Sequence, residues 1–352
     1  MTKSIVLQPD TVHSSEILIG KGILKQSSFS THLLSVATRF ALLMDETVAP
    51  LFQDLLVKTG LDISIFTFPA GESSKTRETK QRLEDQMLAK GFGRGCALIA
   101  MGGGVTLDLG GFIAATYCRG VPLIHIPTTL LAMVDACIGG KTGVNTPQGK
   151  NLIGAFYPAA KVLIDVDTLD SLPEAQMRSG MAEVIKYGLT LDPTLLEESD
   201  LERRIFRSCA LKKRIIEEDY QESGLRRVLN FGHTVGHAIE LLTEYKILHG
   251  DAVALGMAIE CAMSVEMGYL SEKSFLQIMQ LLPLQELHME AEKLMEAMRH
   301  DKKSSLKSPR FVVLKEIGEV EPFSGSYCTE VNPEILERAL TRYASAIFSR
   351  AL

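Results

Sequence analysis

With 352 residues, 46% of them hydrophobic and 23% charged, the chain has the composition of an ordinary globular protein and the length for two hydrophobic cores. A net charge of −6 leaves no excess of Lys and Arg to neutralise phosphates, which argues against nucleic acid as a partner. The six cysteines are scattered with no Cys-x-x-Cys pair, no signal-like apolar run opens the sequence, and no stretch approaches the roughly 20 apolar residues that span a bilayer, so the expectation is a cytoplasmic protein without a membrane partner.

The first half alternates short apolar runs with amphipathic stretches. Residues 39–44 form the first clear strand candidate and end at Asp45; residues 63–68 lead into Pro69-Ala70-Gly71; residues 96–101 run into three glycines; residues 122–126 end in Pro127-Thr128-Thr129; residues 161–165 form a later strand. Strands punctuated in this way, with helices between them, predict a mostly parallel sheet covered on both faces. From about Pro173 the texture changes to long runs rich in Leu, Met, Ala, Glu and Lys at helical spacing, with Gly268 and Pro283 as stops and Asn332-Pro333 as a start. Only residues 310–314 look like a strand there. The expected architecture is an α/β domain over residues 1–172 with a Rossmann-like sheet, followed by an all-α domain over residues 173–352.

Three features carry chemistry. After the strand that ends at Met101 comes GGGVTLD (residues 102–108), a strand-to-helix turn whose bare backbone amides and helix N-terminus suit a dinucleotide diphosphate, although Leu107 breaks the Gly-x-Gly-x-x-Gly pattern. Taken alone, this turn serves a tight connection equally well. Asp45 is placed to accept from a ribose hydroxyl, and Gly71-Glu72-Ser73-Ser74-Lys75 and Thr128-Thr129 fall at neighbouring strand ends. Next, GGKTGVN (139–145) and GKN (149–151) read as a glycine-punctuated basic loop able to hold a phosphate or carboxylate, and equally as a solvated loop. Last, His233 and His237 stand i and i+4 on one helix face, His249 follows in a His-Gly-Asp turn, and Glu183 lies in a separate helical run. One carboxylate and two imidazoles with an open position make a catalytic zinc set. Each of these side chains is by default a packed or solvated residue, and spacing alone leaves open which two histidines would ligate.

These residues resemble one family, the dehydroquinate synthases, cyclising enzymes of the shikimate pathway. The likeness runs from about Asp45 to Lys303 through PAGESSK (69–75), GGGVTLD (102–108), PTTLL (127–131), VDACIGGKTGVN (134–145), GKNLIG (149–154), SGMAEVIKYG (179–188), GLR (224–226), LNFGHTVGHAIE (229–240) and DKK (301–303). The resemblance implies NAD and one divalent ion, zinc or cobalt, as cofactors, a sugar phosphate as substrate, and a homodimer. It implies Glu183, His233 and His249 as metal ligands and His237 as a phosphate-contacting, proton-handling residue. Lys212 and Arg226 would hold the substrate carboxylate. Lys141, Asn230, His237 and Lys302 would surround the phosphate, with Arg119 reaching in from the partner subunit, while Asp135, Lys150, Asn151, Lys186 and Glu222 complete the polar shell. NAD would meet Asp45, Gly71, Glu72, Lys75, Gly103, Gly104, Val105, Asp108, Thr128, Thr129, Lys141, Lys150, Thr168, Leu169 and Ser171. The sequence departs from the family at Leu107, where a glycine is usual, at Asp251, where Glu is customary, and at Tyr220-Gln221, in place of a charged pair.

Overall fold

The computed structural model describes residues 3–7, 14–284, 290–300 and 309–351. Two compact units divide the chain, Met1–Pro173 and Glu174–Leu352.

Among its described residues the first unit holds nine strands: β1 (Lys3–Leu7), β2 (Ser15–Gly20), β3 (Arg39–Asp45), β4 (Asp62–Phe68), β5 (Cys96–Gly102), β6 (Leu123–Pro127), β7 (Lys141–Thr146), β8 (Gly149–Phe156) and β9 (Lys161–Asp165). Its helices are α1 (Phe29–Leu34), α2 (Ala49–Val57), α3 (Arg77–Ala89) and α4 (Gly104–Thr116). Seven strands form one sheet in the order β1-β2-β9-β6-β5-β3-β4, parallel throughout except that β1 pairs antiparallel with β2. Every residue of β5 and β6 is buried, as expected of strands covered on both faces, and this explains the unbroken apolar run of β5. Helix α4 lies close on this sheet because Gly110 has no side chain: a Cβ there would meet the Ala100 Cβ at 2.7 Å.

The sheet's strands β3, β4, β5, β6 and β9 coincide within a residue or two with the runs expected from the sequence, whereas β1 and β2 went unmarked. The expected basic loop is in fact the antiparallel hairpin β7–β8, with Thr142 opposite Ala155 and Val144 opposite Ile153. Its glycines misled because they mark close backbone approach within a ladder: a Cβ on Gly154 would fall 1.9 Å from the Thr142 carbonyl oxygen.

The second unit is built from α5 (Glu174–Thr190), α6 (Leu201–Glu218), α7 (His233–Leu242), α8 (His249–Glu266), α9 (Glu272–Leu281), α10 (Ala291–His300) and α11 (Pro333–Ala351). Short strands β10 (Arg310–Phe311), β11 (Leu314–Glu316), β12 (Glu319–Val320) and β13 (Thr329–Glu330) add two small ladders, β10–β13 and β11–β12, to this helical unit. Helix α8 is buried without interruption from Gly250 to Ser264, so it is the central rod on which α5, α7 and α11 pack. Its start touches α5 so closely that a Cβ on Gly250 would lie 1.9 Å from the Ser179 carbonyl oxygen. Asn332 caps α11 as its sequence suggests, accepting from the Glu334 amide at 3.1 Å, with Pro333 at the first helical position. Among the described residues no helix is long and apolar enough to cross a membrane.

Candidate active site

In the first unit the chain passes from β3 outward to β4 and then back across β3 to β5, from which β6 continues the other way. That reversal between β3 and β5 is a topological switch point, and in open parallel sheets the carboxyl ends of such strands bind ligands. Asp45 closes β3 there. Its Oδ1 accepts the amides of Thr47 at 2.9 Å and Val48 at 3.0 Å, while the Thr106 hydroxyl donates to Oδ2 at 3.4 Å. Beside it β5 ends at Gly102, Gly103 caps α4 in an extended conformation, and no side chain bonds to the opening amides of the helix. The Gly104 and Val105 turn therefore presents an anion-binding end. Leu107 does not intrude on it, because the side chain is fully buried in the core.

Around this edge the residues expected to meet a dinucleotide are knitted together. Lys75 Nζ donates to Asp108 Oδ2 at 2.5 Å. Burial raises the Asp108 carboxyl above its usual range, and Lys75 opposes that. Gly71 turns at φ 107°, and Glu72 Oε1 accepts from Asn145 Nδ2 at 2.7 Å. Asn145 in turn donates its amide to the Lys75 carbonyl at 2.8 Å and accepts the Asn151 amide at 3.1 Å, which ties the hairpin carrying Lys141 and Lys150 to residues 72–75. The Thr128 amide donates to the Gly102 carbonyl at 3.0 Å, and Thr129 Oγ1 accepts the Ala132 amide at 3.1 Å. Thr168 and Leu169 are turned inward, and Ser171 Oγ bonds the Thr168 carbonyl at 3.0 Å. Asp135 stands on a π-turn, Ala132–Ala136, a local form frequent at functional sites.

Three expected site residues, Arg119 (φ 70°), Asn151 (φ 57°) and Glu222 (φ 61°), hold left-handed backbones. Side chains other than Gly reach that region at a cost, and such strain concentrates where position matters.

In the second unit, helices α5, α7 and α8 bring Glu183, His233 and His249 together, with one ligand atom from each inside 4.8 Å of the others. Glu183 Oε1 lies 3.4 Å from His233 Nε2 and 4.0 Å from His249 Nε2. Glu183 is completely buried and its Oε1 meets no hydrogen-bond donor, while Oε2 pairs with the buried ammonium of Lys186. Each histidine is the first residue of its helix, where the positive end of the dipole disfavours an imidazolium. Burial, then the Lys186 charge and the other two imidazoles, holds His233 well below the usual imidazole range. Its Nδ1 faces the Phe231 carbonyl at 3.2 Å, so Nε2 carries the lone pair toward Glu183. A buried carboxylate oxygen without a donor, facing two imidazoles of which one is held neutral, suits a divalent ion. His237 stacks edge-on to His233 at 5.5 Å but belongs to a different grouping, with Glu240 and His249. His249 thus stands in both groupings, sharing one with His233 and Glu183 and the other with His237 and Glu240.

Two buried cations, Lys212 and Arg226, lie on α6 and in the turn that follows it. The turn is organised by Asp219, which accepts the amides of Ser223, Gly224 and Arg226; burial raises its carboxyl, but these amides prevail and hold it at about 2. The Arg226 guanidinium donates to the Tyr220 carbonyl at 2.6 Å, and Asn230 Nδ2 donates to Glu222 Oε1 at 2.6 Å. Lys302 lies outside the described residues.

Sequence reasoning assigned nothing to Asn145, Ser179 or Glu240. Asn145 and Ser179 act through backbone partners far away in the chain, a signal no local pattern contains. Glu240 was detectable, since it follows His237 by three residues on the same helical face.

Comparison with known proteins agrees with this geometry. Residues 65–179 match the family model of the 3-dehydroquinate synthase N-terminal domain and residues 180–304 that of the C-terminal domain. The 3-dehydroquinate synthase of Acidithiobacillus ferrooxidans is 43% identical over 354 residues, covering 94% of this chain and 95% of that protein. Among solved structures, 2-deoxy-scyllo-inosose synthase complexed with carbaglucose-6-phosphate, NAD+ and Co2+ superposes with a TM-score of 0.84 at 26% identity, over 96% of this chain and 99% of that one. The 2-epi-5-epi-valiolone synthase of Streptomyces hygroscopicus subsp. jinggangensis, with NAD+ and Zn2+ bound, gives 0.84 at 28% identity over 97% and 99%. With both halves matched by paired family models and a full-length relative at this identity, the chain belongs to the 3-dehydroquinate synthase family.

Proposed function

We infer that this chain is a 3-dehydroquinate synthase, converting 3-deoxy-D-arabino-heptulosonate 7-phosphate into 3-dehydroquinate and phosphate for aromatic amino acid biosynthesis. The observation that carries the reading is the Glu183–His233–His249 group, gathered around a buried carboxylate, in a chain matched along residues 65–304 to this family. NAD and one divalent ion, zinc or cobalt, are its cofactors; when bound, they accept and return a hydride and polarise the hydroxyl being oxidised.

The chain's own groups bind, orient and handle protons. Glu183, His233 and His249 hold the ion, and Lys186 pairs with the Glu183 carboxylate and holds it in place. Asp45 takes the ribose, the Gly103-Gly104-Val105 turn takes the diphosphate, and Gly71, Glu72, Lys75, Asp108, Thr128, Thr129, Lys141 and Lys150 line the cofactor, with Thr168, Leu169 and Ser171 beyond them. Lys212 and Arg226 clamp the carboxylate, the guanidinium offering paired donors. Lys141, Asn230, His237 and Lys302 surround the phosphate, joined by Arg119 of a second subunit in a homodimer. Asp135, Asn151 and Glu222 complete the shell. Oxidation at carbon 5 acidifies the proton on carbon 6, and phosphate leaves only after that, which makes the step a carbon–oxygen lyase reaction. The phosphate oxygens can take that proton, and the His237 imidazole can relay it. Fixing the substrate at both ends supplies the orientation that the later aldol closure needs. Six cysteines that form no disulfide favour a reducing, cytoplasmic setting for this enzyme.

The test supplies the heptulosonate phosphate with NAD+ and Co2+ and follows phosphate release together with the absorbance of the dehydrated product. Phosphate is expected stoichiometrically, without net NADH, and chelation stops it. Accumulation of one NADH per turnover would instead make the protein a polyol dehydrogenase.

A further inference from the structure

We propose that Glu240 is a positioning residue of the metal centre, holding the His249 ring through Nδ1 so that Nε2 is aimed at an ion shared with Glu183 and His233. The inference rests on reading those three residues as ligands.

Helix α7 carries His233, His237 and Glu240 on one face. Glu240 is only 3% exposed, between core residues Ala238 and Ile239 and the buried face of α8. A carboxylate in such surroundings is costly unless it answers a partner. Its Oε2 stands 3.4 Å from His249 Nδ1, across the ring from the Nε2 that faces Glu183 Oε1 at 4.0 Å. His233 shows the same arrangement with a different acceptor, its Nδ1 set against the Phe231 carbonyl at 3.2 Å. Each imidazole therefore has an oxygen behind the nitrogen that points away from Glu183. His249 needs one from a side chain, because it follows a loop with left-handed Glu244 (φ 53°) and Tyr245 (φ 60°), and no side chain caps the start of its helix. A carboxylate behind a ligating imidazole fixes tautomer and ring orientation and strengthens the ligand.

The experiment loads wild type, Glu240→Gln, Glu240→Ala, His249→Ala and the Glu240→Gln/His249→Ala double variant with Co2+, measuring affinity by chelator competition and the visible cobalt spectrum. Wild type is expected to hold one Co2+ per chain. Glu240→Gln should bind it roughly 10–100-fold more weakly with a shifted visible band, and should add no further loss in the His249→Ala background. The isosteric Gln variant decides the matter if the Ala variant does not fold. Unchanged affinity and spectrum in Glu240→Gln would overturn the proposal, as would an equal loss with and without His249, which marks a merely structural role. So would a second Co2+ in wild type that vanishes with Glu240, which would make Glu240 a ligand. A wild type that binds NAD+ but no Co2+ would overturn the metal reading itself.

Discussion

The two units build their candidate sites from different material. In the sheet unit the groups at the carboxyl edge are largely main-chain: the amides opening α4, the Gly102 and Lys75 carbonyls, and short turns that knit strand ends together. In the helical unit the backbone is consumed by helices, so side chains make the site, around a wholly buried Glu183 and a nearly buried Lys186. Backbone donors survive substitution of the residues that carry them. A buried carboxylate facing two imidazoles has no substitute, so damage should be graded in the first unit and all-or-none in the second.

The largest expected effect tests that contrast directly. Glu183→Gln keeps the shape but removes the charge, and turnover should fall on the order of a thousand-fold, about 4 kcal/mol in barrier height, with Co2+ binding lost and NAD+ binding retained. Assaying phosphate release beside metal content checks it; a variant that keeps its cobalt breaks the distinction between the units. Next comes Leu107→Ala. The side chain is fully buried, so its truncation should cost about 2–5 kcal/mol of unfolding free energy. NAD+ affinity of the folded protein should stay within about two-fold, since this side chain does not reach the anion-binding turn. Denaturant unfolding and NAD+ titration on the same sample separate the two.

Leu107 also shows how far the sequence carries. It breaks the glycine pattern, yet the third glycine's packing role is met three residues later by Gly110 against Ala100. A fixed-spacing pattern cannot register that shift. The central strands were readable because burial on both faces writes an uninterrupted apolar run, as in β5. The β7–β8 hairpin was not, because Gly143 and Gly154 serve close backbone approach there and look like loop residues in one dimension. The ligand types were visible in LNFGHTVGHAIE, but which imidazole turns toward Glu183 depends on α5 and α8, more than forty residues to one side and a loop away on the other. Single-sequence patterns report faces of one element and not the meeting of three.

His125 gives a smaller effect, confined to the sheet unit. It lies on fully buried β6, and burial, opposed only in part by the backbone of Cys137 and Leu107, pushes it down to about 4. Its folded value is thus below the unfolded one near 6.5. Above that the ring is neutral in both states and stability is at its full level. As pH falls from 6.5 toward 4 the unfolded chain takes the proton first, so stability drops, by about 2 kcal/mol at pH 5. His125→Leu should flatten this part of the profile, and the difference between the two proteins' unfolding free energies across pH 7 to 4 measures it. Parallel profiles would show that the histidine finds a partner when charged.

The smallest expected effect sharpens the comparison from the other side. Lys75 and Asp108 form the sheet unit's nearest counterpart to the buried Lys186–Glu183 pair, but Asp108 keeps 22% of its side chain exposed where Glu183 keeps none. Lys75→Met removes the charge that opposes burial, so the Asp108 carboxyl should rise further and neutralise by taking a proton, rather than remain as an uncompensated charge. That escape limits the loss to about 1 kcal/mol of stability, with NAD+ binding weakened several-fold and Co2+ binding untouched. The backbone bond from Asn145 to the Lys75 carbonyl does not involve the side chain and should keep residues 72–75 in place. Lys186→Met has no such escape, because Glu183 must stay ionised to hold a cation, and there the metal affinity should fall with the stability. Paired urea unfolding and Co2+ titrations on the two variants decide it: equal metal losses in both would mean that the two sites are not energetically separate.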